Sequence, residues 1–435
     1  MEADDCDRPA GAHGVAARGT RGPSSPISGE ERSLDDLLRR ADLAAAHDLP
    51  RLFQGHADVL GVGDPVAYLV DLQQSSLVPL IEAAAPDDAR QVSFLGVDST
   101  LAGRAFQQAQ ILTQPADSGH GLRVWLPLVN GTERLGVLTV TVPDADLMAR
   151  HDAALSVRLR TFAAVVAELI TSKTLYGDTL VRLRRTAEMG LAAEMQWALL
   201  PPLTFVSPTV TIAGALEPAY EVAGDSIDYA VDKGLARFAI FDGMGHGLRS
   251  AQLVTLSVAA YRNGRRSDRS LDMTARAIDT AVDAAFATDA FITGVLAELN
   301  TDLGLLSWVN AGHPDPLLLR GGRLIKSLHI EPMLPFGLNA DLAINGDDAG
   351  APTSANIGTE ALEPGDIVVL YTDGVIEARS PGGDFFGVER LVDLLTRSLA
   401  AGLSAPETMR RIVRVLLEHH RSQLDDDATL MFVKW

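Results

Sequence analysis

Cysteine is almost absent from this chain of 435 residues, where Cys6 is the single thiol. One thiol excludes an intramolecular disulfide, a cysteine-ligated metal cluster and the Cys-x5-Arg loop of cysteine-dependent phosphatases. Positive charge is also scarce: 37 Lys and Arg stand against 57 Asp and Glu, for a formal net charge of -20. Nucleic acids and anionic membranes are held by basic surfaces, so neither is expected as a general partner. The short basic run from Arg182 to Arg185 reads as a solvated helix face. No apolar run is long enough to span a bilayer, and Met1 to Glu30 lacks the apolar core of a secretion signal. The expectation is a cytoplasmic protein with no membrane association.

What the chain does have is 47% hydrophobic residues, enough for sizeable cores in two or three domains. Residues 1–30 are rich in Gly, Pro, Ser and Ala and are expected to form a disordered tail. Ile227 to Val231 and Ala236 to Phe241 flank an Asp232-Lys233-Gly234 turn and read as a strand, a turn and a strand. In such a hairpin the two ends lie side by side, which brings Asp225 beside Asp242. The run Ile367 to Thr372 ends in Asp373-Gly374, and Asp425-Asp426-Asp427 precedes the strand Thr429 to Val433. Turns favour Asp and Gly in any protein, which accounts for one such cluster. Four at strand ends with no basic neighbour point to a cation, and hard oxygen ligands select Mg²⁺ or Mn²⁺.

Upstream, a helical pattern from about Ser33 leads to a strand, Val66 to Asp71, and then to a hairpin. Its strands are Arg123 to Leu128 and Leu135 to Thr141, joined across Asn130-Gly131. Tyr68 and Trp125 read as core aromatics. Leu159, Phe162, Val166, Leu169, Tyr176, Leu180 and Leu183 then recur at spacings of 3 and 4, interrupted by Lys173. Such a stripe fits a dimeric coiled coil or one helix packed on its own domain, and its length favours the coiled coil, hence a homodimer. Gly177 and Gly190 each weaken a helix by about 1 kcal/mol relative to Ala and mark candidate hinges. Pro201-Pro202 ends the helix.

The segments VAGDSID, FDGMGHGLRSA, VNAGHPDPLLL, LPFGL, LEPGDIVVLYTDGVIEARS and DDDATLMFV occur in the order seen in the PPM (PP2C-type) metal-dependent protein phosphatases. They most resemble the bacterial sporulation-phosphatase-like (SpoIIE) branch, over about the last 240 residues. The segment Ala193 to Leu200 resembles the lead-in of that branch, at its regulatory junction. The earlier hairpin resembles that of a GAF domain. These resemblances imply an α+β protein: a GAF-like α/β sensor domain over 34–170, a helical linker over 171–200, and an αββα sandwich over 201–435.

The resemblance also implies a site. Asp225 and Asp242 hold the metals and carry the catalysis, the Gly243 carbonyl completes one metal position, and Asp373 and Asp426 hold the other side. Asp426 is preferred to Asp425 and Asp427 by the family spacing. Two ions, Mn²⁺ or Mg²⁺, would balance four carboxylates and convert a bridging water into the hydroxide that attacks a phosphomonoester. Asp228 either binds a metal through water or caps the hairpin. His246 either protonates the leaving group or serves the turn, and His313 sets a turn. Ala223 stands where many relatives have a second glycine, and no arginine stands beside Asp225 to grip phosphate. The implied function is a phosphoserine/phosphothreonine protein phosphatase regulated by its N-terminal half. Its partners would be a phosphoprotein, such as a STAS-type anti-sigma-factor antagonist, and a small molecule in the GAF-like domain. The alternative is a catalytically silent sensor or scaffold. A nucleotide phosphodiesterase fits less well, because His-rich ligand motifs are missing.

Overall fold

The structure is a computed structural model that describes residues 29–81, 93–117, 119–144, 153–217, 220, 224–287, 289–338, 355–420 and 426–435. The tail expected over 1–30 lies outside the described residues up to Ser28, and so do Cys6, Ala223 and Asp425. Gly29 and Glu30, placed in that tail by composition, instead open the first helix.

The N-terminal half runs α1 (Gly29–Leu43), α2 (Leu49–Leu60), β1 (Gly63–Val70), β2 (Ser76–Leu80), β3 (Leu95–Gly96), α3 (Leu101–Gln108), β4 (Leu112–Pro115), β5 (Leu122–Asn130), β6 (Glu133–Val142) and α4 (Ala153–Thr174). Its strands form one antiparallel sheet in the order β3-β2-β1-β6-β5-β4. The expected β5/β6 hairpin is present, and Gly131 supplies its turn with a positive φ of 58°, a conformation that glycine adopts without strain. Helices α1, α2 and α4 cover one sheet face, where Leu49 and Phe53 meet Leu126, Leu138 and Phe162. On the other face α3 brings Phe106 against Trp125 and Val137. Trp125 is buried, with its ring 5.9 Å from that of Tyr68, so both are core aromatics.

The coiled-coil expectation is corrected here. Leu159, Phe162 and Val166 are fully buried in the core of their own half, with Phe162 edge-on to Phe53 at 6.3 Å. Spacings of 3 and 4 mark any helix with a single apolar face. The apolar side of the adjacent sheet, on the same chain, takes that face before a second copy can. The seam proposed for a homodimer is thereby used up. The linker is also not one helix: after α4 come α5 (Thr179–Leu183) and α6 (Leu191–Leu199). Gly177 lies in the first break, and Gly190 is the N-cap of α6.

The C-terminal half continues with β7 (Thr204–Val206), β8 (Thr211–Glu217), β9 (Asp225–Asp232), β10 (Leu235–Gly243), α7 (Leu248–Arg266), α8 (Leu271–Phe286), β11 (Ile292–Asn300), β12 (Leu305–Ala311), β13 (Leu317–Arg320), β14 (Arg323–Ser327), β15 (Gly358–Ala361), β16 (Ile367–Tyr371), α9 (Asp373–Ile376), α10 (Val388–Ala400), α11 (Ala405–His420) and β17 (Ala428–Lys434). One sheet has the order β15-β12-β11-β10-β9, the other β14-β13-β16-β17-β8-β7, and every pairing is antiparallel. Side chains alternate across a strand, so β10 sends Phe238 and Ile240 inward to meet Leu318, Val368 and Met431 of the second sheet. Ala239 and Phe241 point outward beneath Leu253, Tyr261 and Ile278 of α7 and α8. Helices α10 and α11 cover the far face of the second sheet through Leu391, Leu395 and Ile412. This is the expected αββα sandwich. No described helix is long and apolar enough to cross a membrane.

Buried charge joins the halves. Arg134 of β6 meets Glu407 of α11 at 3.2 Å, both side chains being almost fully enclosed. Arg410 reaches Asp98 at 2.7 Å and Glu407 at 2.9 Å, and Arg414 also reaches Asp98 at 2.7 Å. Hydrogen bonding from Arg410 leads the effects that hold the Asp98 carboxyl down at about 2.

Because Phe162 is core rather than interface, Phe162→Glu should unfold the N-terminal half instead of merely splitting a dimer. Truncating a buried Phe costs about 3–5 kcal/mol, and a buried unpaired carboxylate adds to that. Urea denaturation followed by circular dichroism checks this. A variant that melts like wild type would return the residue to an exposed seam.

Candidate active site

Four strand ends from the two sheets meet at one end of the sandwich. Asp225 opens β9 and pairs in register with Asp242 near the end of β10, which in turn faces Thr293 of β11. In the second sheet β16 ends at Tyr371, Thr372 is the N-cap of the short helix α9, and Asp373 is its first residue. Asp426 and Asp427 lead into β17, which pairs with β16. Sequence spacing placed Asp225 beside Asp242, but only the sandwich adds Asp373 and Asp426.

The electrostatics are those of like charges forced together. Burial, then the charges of Asp242 and Asp427, raise the Asp225 carboxyl well above its ordinary range, although Thr372 Oγ1 donates to its Oδ2 at 2.8 Å. Burial and the charges of Asp373, Asp426 and Asp427 push Asp242 up to about 7, and its carboxyl lies within hydrogen-bonding reach of Asp373. Asp426 is raised chiefly by burial. Among the described residues none of these carboxylates has a lysine or arginine within ion-pair distance. Nor, among those residues, do three acidic or histidine side chains close around one point; repulsion between like charges acts against closure.

Asp427, set aside in favour of its neighbour at the sequence level, is an organising residue. Its Oδ2 accepts the backbone N–H groups of Gly224 and of Asp225, the latter at 3.1 Å, while its buried Oδ1 has no partner among the described residues. Burial, only partly offset by those N–H groups, pushes it up to about 6. An orphaned buried carboxylate oxygen beside three further carboxylates is a donor set of hard oxygens, and it fits a divalent cation such as Mg²⁺ or Mn²⁺.

Glycines permit this crowding. A Cβ on Gly374 would sit 2.0 Å from the Asp427 carbonyl oxygen, and one on Gly243 would sit 2.9 Å from Ser250 Oγ. Ser250 Oγ donates to the Gly243 carbonyl at 3.0 Å. A carbonyl has two lone pairs, so the oxygen assigned to a metal keeps one for it.

Three further residues do more than the sequence reading assigned to them. Gln196 of α6 is buried, and its Nε2 donates to the Asp225 carbonyl at 2.7 Å and approaches Asp427 Oδ2 at 3.5 Å. The available signal was a lone glutamine on the helix face that buries Ala192 and Ala193. His313 does more than set a turn. Its Nε2 donates to Tyr371 O at 3.1 Å, and its Nδ1 lies 2.9 Å from Thr293 Oγ1, so it ties the two sheets together behind the acidic end. Burial pushes it down to about 3, which keeps the ring neutral. Thr372, described above, carried no signal beyond preceding Asp373-Gly374.

Asp228 is corrected. It neither caps the hairpin nor joins the acidic end, but lies fully buried between Arg262 at 2.8 Å and Arg265 at 2.9 Å of α7. Those arginines approach β9, yet Asp228 engages them, in keeping with the lack of an arginine at Asp225. His246 is exposed on the loop before α7, close enough to Asp426 for its charge to lower that carboxyl.

Paired antiparallel sheets sheathed by helices, with carboxylates from both sheets gathered at one end, define a PP2C-type domain of the protein serine/threonine phosphatase class. Residues 232–435 match the family described as Stage II sporulation protein E (SpoIIE). Over those residues the chain carries a domain similar to the SpoIIE-type PP2C phosphatases. The phosphoserine phosphatase RsbU of Bacillus subtilis is 26% identical over 253 residues, which cover 57% of this chain and 70% of that protein. Protein IcfG of Synechocystis is 31% identical over 146 residues, 33% of this chain and 20% of its own length. The SiaA PP2C domain of Pseudomonas aeruginosa, a solved structure, covers 56% of this chain and 94% of its own at 19% identity, with a TM-score of 0.44.

Gly374→Ala should displace α9 from β17 and carry Asp373 away from Asp242. The expected result is a folded protein with at least a tenfold loss of phosphatase turnover, about 1.4 kcal/mol of transition-state stabilisation. Wild-type turnover in this variant would show that the tight approach of Gly374 to Asp427 does not matter.

Proposed function

We propose that this chain removes phosphate from phosphoserine or phosphothreonine in a protein substrate, with two divalent cations, Mn²⁺ or Mg²⁺. Asp225, Asp242, the Gly243 carbonyl, Asp373 and Asp426 would hold them. The observation that carries this reading is the gathering of carboxylates from both sheets, Asp225 and Asp427 fully buried among them, with no lysine or arginine among the described residues to balance them. A scaffold would gain nothing from such repulsion. When bound, divalent cations supply charge neutralisation, polarise phosphoryl oxygens and make water more acidic. Asp427 fixes the loop at Gly224 and Asp225, His313 fixes the two sheets relative to each other, and Asp242 is central because it faces Asp373, Asp426 and Asp427 at once.

Regulation by the N-terminal half is part of the proposal, with that half serving as a GAF-like sensor. Support comes from α6, whose Gln196 holds the Asp225 carbonyl from one side. Arg262 spans from Asp228 to the carbonyl of Leu199 at the end of α6. A shift of α6 therefore moves the backbone that presents Asp225. Similarity to a phosphoserine phosphatase supports a phosphoserine protein as substrate, and the SpoIIE branch resemblance points to a STAS-type anti-sigma-factor antagonist. Phosphoproteomes with and without the enzyme test the substrate, and an unchanged antagonist phosphoserine would remove it from the proposal.

Purified full-length protein should hydrolyse an aryl phosphate with Mn²⁺ or Mg²⁺ and stop in chelator. Asp242→Asn should abolish turnover yet melt above wild type in chelator, because it relieves repulsion. A few degrees are expected, since about 1 kcal/mol is worth 2–4 °C in a domain of this size. Added Mn²⁺ should raise the melting temperature of wild type more than that of the variant. A fully active Asp242→Asn would defeat the metal assignment, and an inert wild type that still binds a partner would favour the scaffold.

Gln196→Leu keeps the side-chain volume but loses the bond to Asp225. Turnover should fall about tenfold or more, with circular dichroism unchanged and the melting temperature lowered by a few degrees for the carbonyl left unsatisfied. Unaltered turnover would sever α6 from the site.

A further inference from the structure

Between the two halves lies a cavity of about 560 Å³ that no step of the phosphatase reaction uses. Leu69, Leu135 and Ile170 of the N-terminal half form one wall, and Trp197, Pro201 and Leu203 form the other. The volume is that of a small-molecule site, which ranges over about 300–1,000 Å³.

The arginines that line it are not all ion-paired, although Glu133 also lines the cavity. Arg134 is taken by Glu407 at 3.2 Å, and Arg185 by Glu194 at 2.6 Å. Arg184 donates its Nε to the Val70 carbonyl at 2.9 Å, which leaves its terminal N–H groups, and among the described residues no carboxylate lies within ion-pair distance of them. Protein crowds this guanidinium enough to lower its pKa, and the favourable charges of Glu133 and Asp71 act only from farther away. A crowded cation without an ion-pair partner is stabilised when an anion reaches it. A planar guanidinium is also the side chain best suited to a carboxylate.

We propose that this cavity is a binding site for a small organic acid, an apolar body carrying one anionic group, with Arg184 receiving the charge and the apolar walls receiving the body. Its occupant would rest on Trp197, next to the Gln196 that holds the Asp225 carbonyl. The site stands apart from the acidic end of the sandwich, so binding there does not depend on the phosphatase reading and can be measured without metal or turnover.

The test is fluorescence titration of the full-length protein with 8-anilinonaphthalene-1-sulfonate, an aromatic body bearing one sulfonate. One saturable site is expected. Decanoate should displace the probe, and decanol, of the same length without the charge, should do so at least about tenfold less well. Arg184→Met keeps an apolar stem and removes the charge, and it should weaken probe and decanoate by about tenfold or more while leaving decanol as it was. Thr171→Phe, which fills the cavity from α4 and leaves Arg184 in place, should abolish binding of all three. The proposal is overturned if decanol competes as well as decanoate, if Arg184→Met binds like wild type, or if no saturable site exists. Should Arg184→Met fail to fold, Thr171→Phe decides: loss of the site supports the cavity, and retained binding overturns it.

Discussion

Mutual repulsion among carboxylates at one end of the sandwich is the constraint on which the rest of the C-terminal half depends. Left alone, Asp225, Asp242, Asp373, Asp426 and Asp427 would drive their strand ends apart, and burial followed by neighbouring negative charge raises the carboxyls of Asp225, Asp242, Asp426 and Asp427. The fold resists with an uncharged frame. Thr372 and two backbone N–H groups satisfy carboxylate oxygens, the neutral His313 ring clamps sheet to sheet, and glycines remove the side chains that would hold the strands apart. Each device supplies contact without supplying positive charge. A lysine in the same place would stabilise the fold by relieving the repulsion, and among the described residues none is placed there.

The same logic divides the labour of neighbouring aspartates. Asp225 and Asp228 are three residues apart on β9, yet one faces further acids and the other is neutralised by Arg262 and Arg265. Asp225 has no basic partner among the described residues, whereas the charge of Asp228 is taken up within the protein. Through Arg262 that second pair also grips the end of α6. One strand therefore carries both a member of the acidic cluster and, through Arg262, a link to the end of α6.

The sequence was informative where the information is local. Alternation and turn residues gave the β9/β10 hairpin and hence the meeting of Asp225 with Asp242, because register in a hairpin is set by its turn. Ordered motifs located Asp373, Asp426 and the αββα architecture. Roles that depend on long-range partners stayed hidden. Nothing in the local pattern of Asp427, Gln196 or His313 reveals that they reach Gly224, Asp225 and Tyr371 across more than 25 residues each. Periodicity around Phe162 reported an apolar face but not its partner, since a sheet of the same chain and a second helix ask for the same spacing. Asp228 misled for a related reason: its neighbours in sequence do not show the two arginines of α7.

The ion network joining Arg134 to Glu407, Arg410 and Asp98 bears on how such proteins are assembled over evolutionary time. Domain shuffling works best when the joined surfaces are indifferent to one another. Here Glu407 is almost fully enclosed, and one of its three arginines comes from the other half, while Asp98 draws two arginines in return. Exchange of the N-terminal half for an unrelated sensor would strand charged groups under cover, at a cost of about 3–5 kcal/mol for each broken buried pair. Recombination at this boundary is therefore filtered by electrostatics, and the two halves are bound to diverge as a matched set.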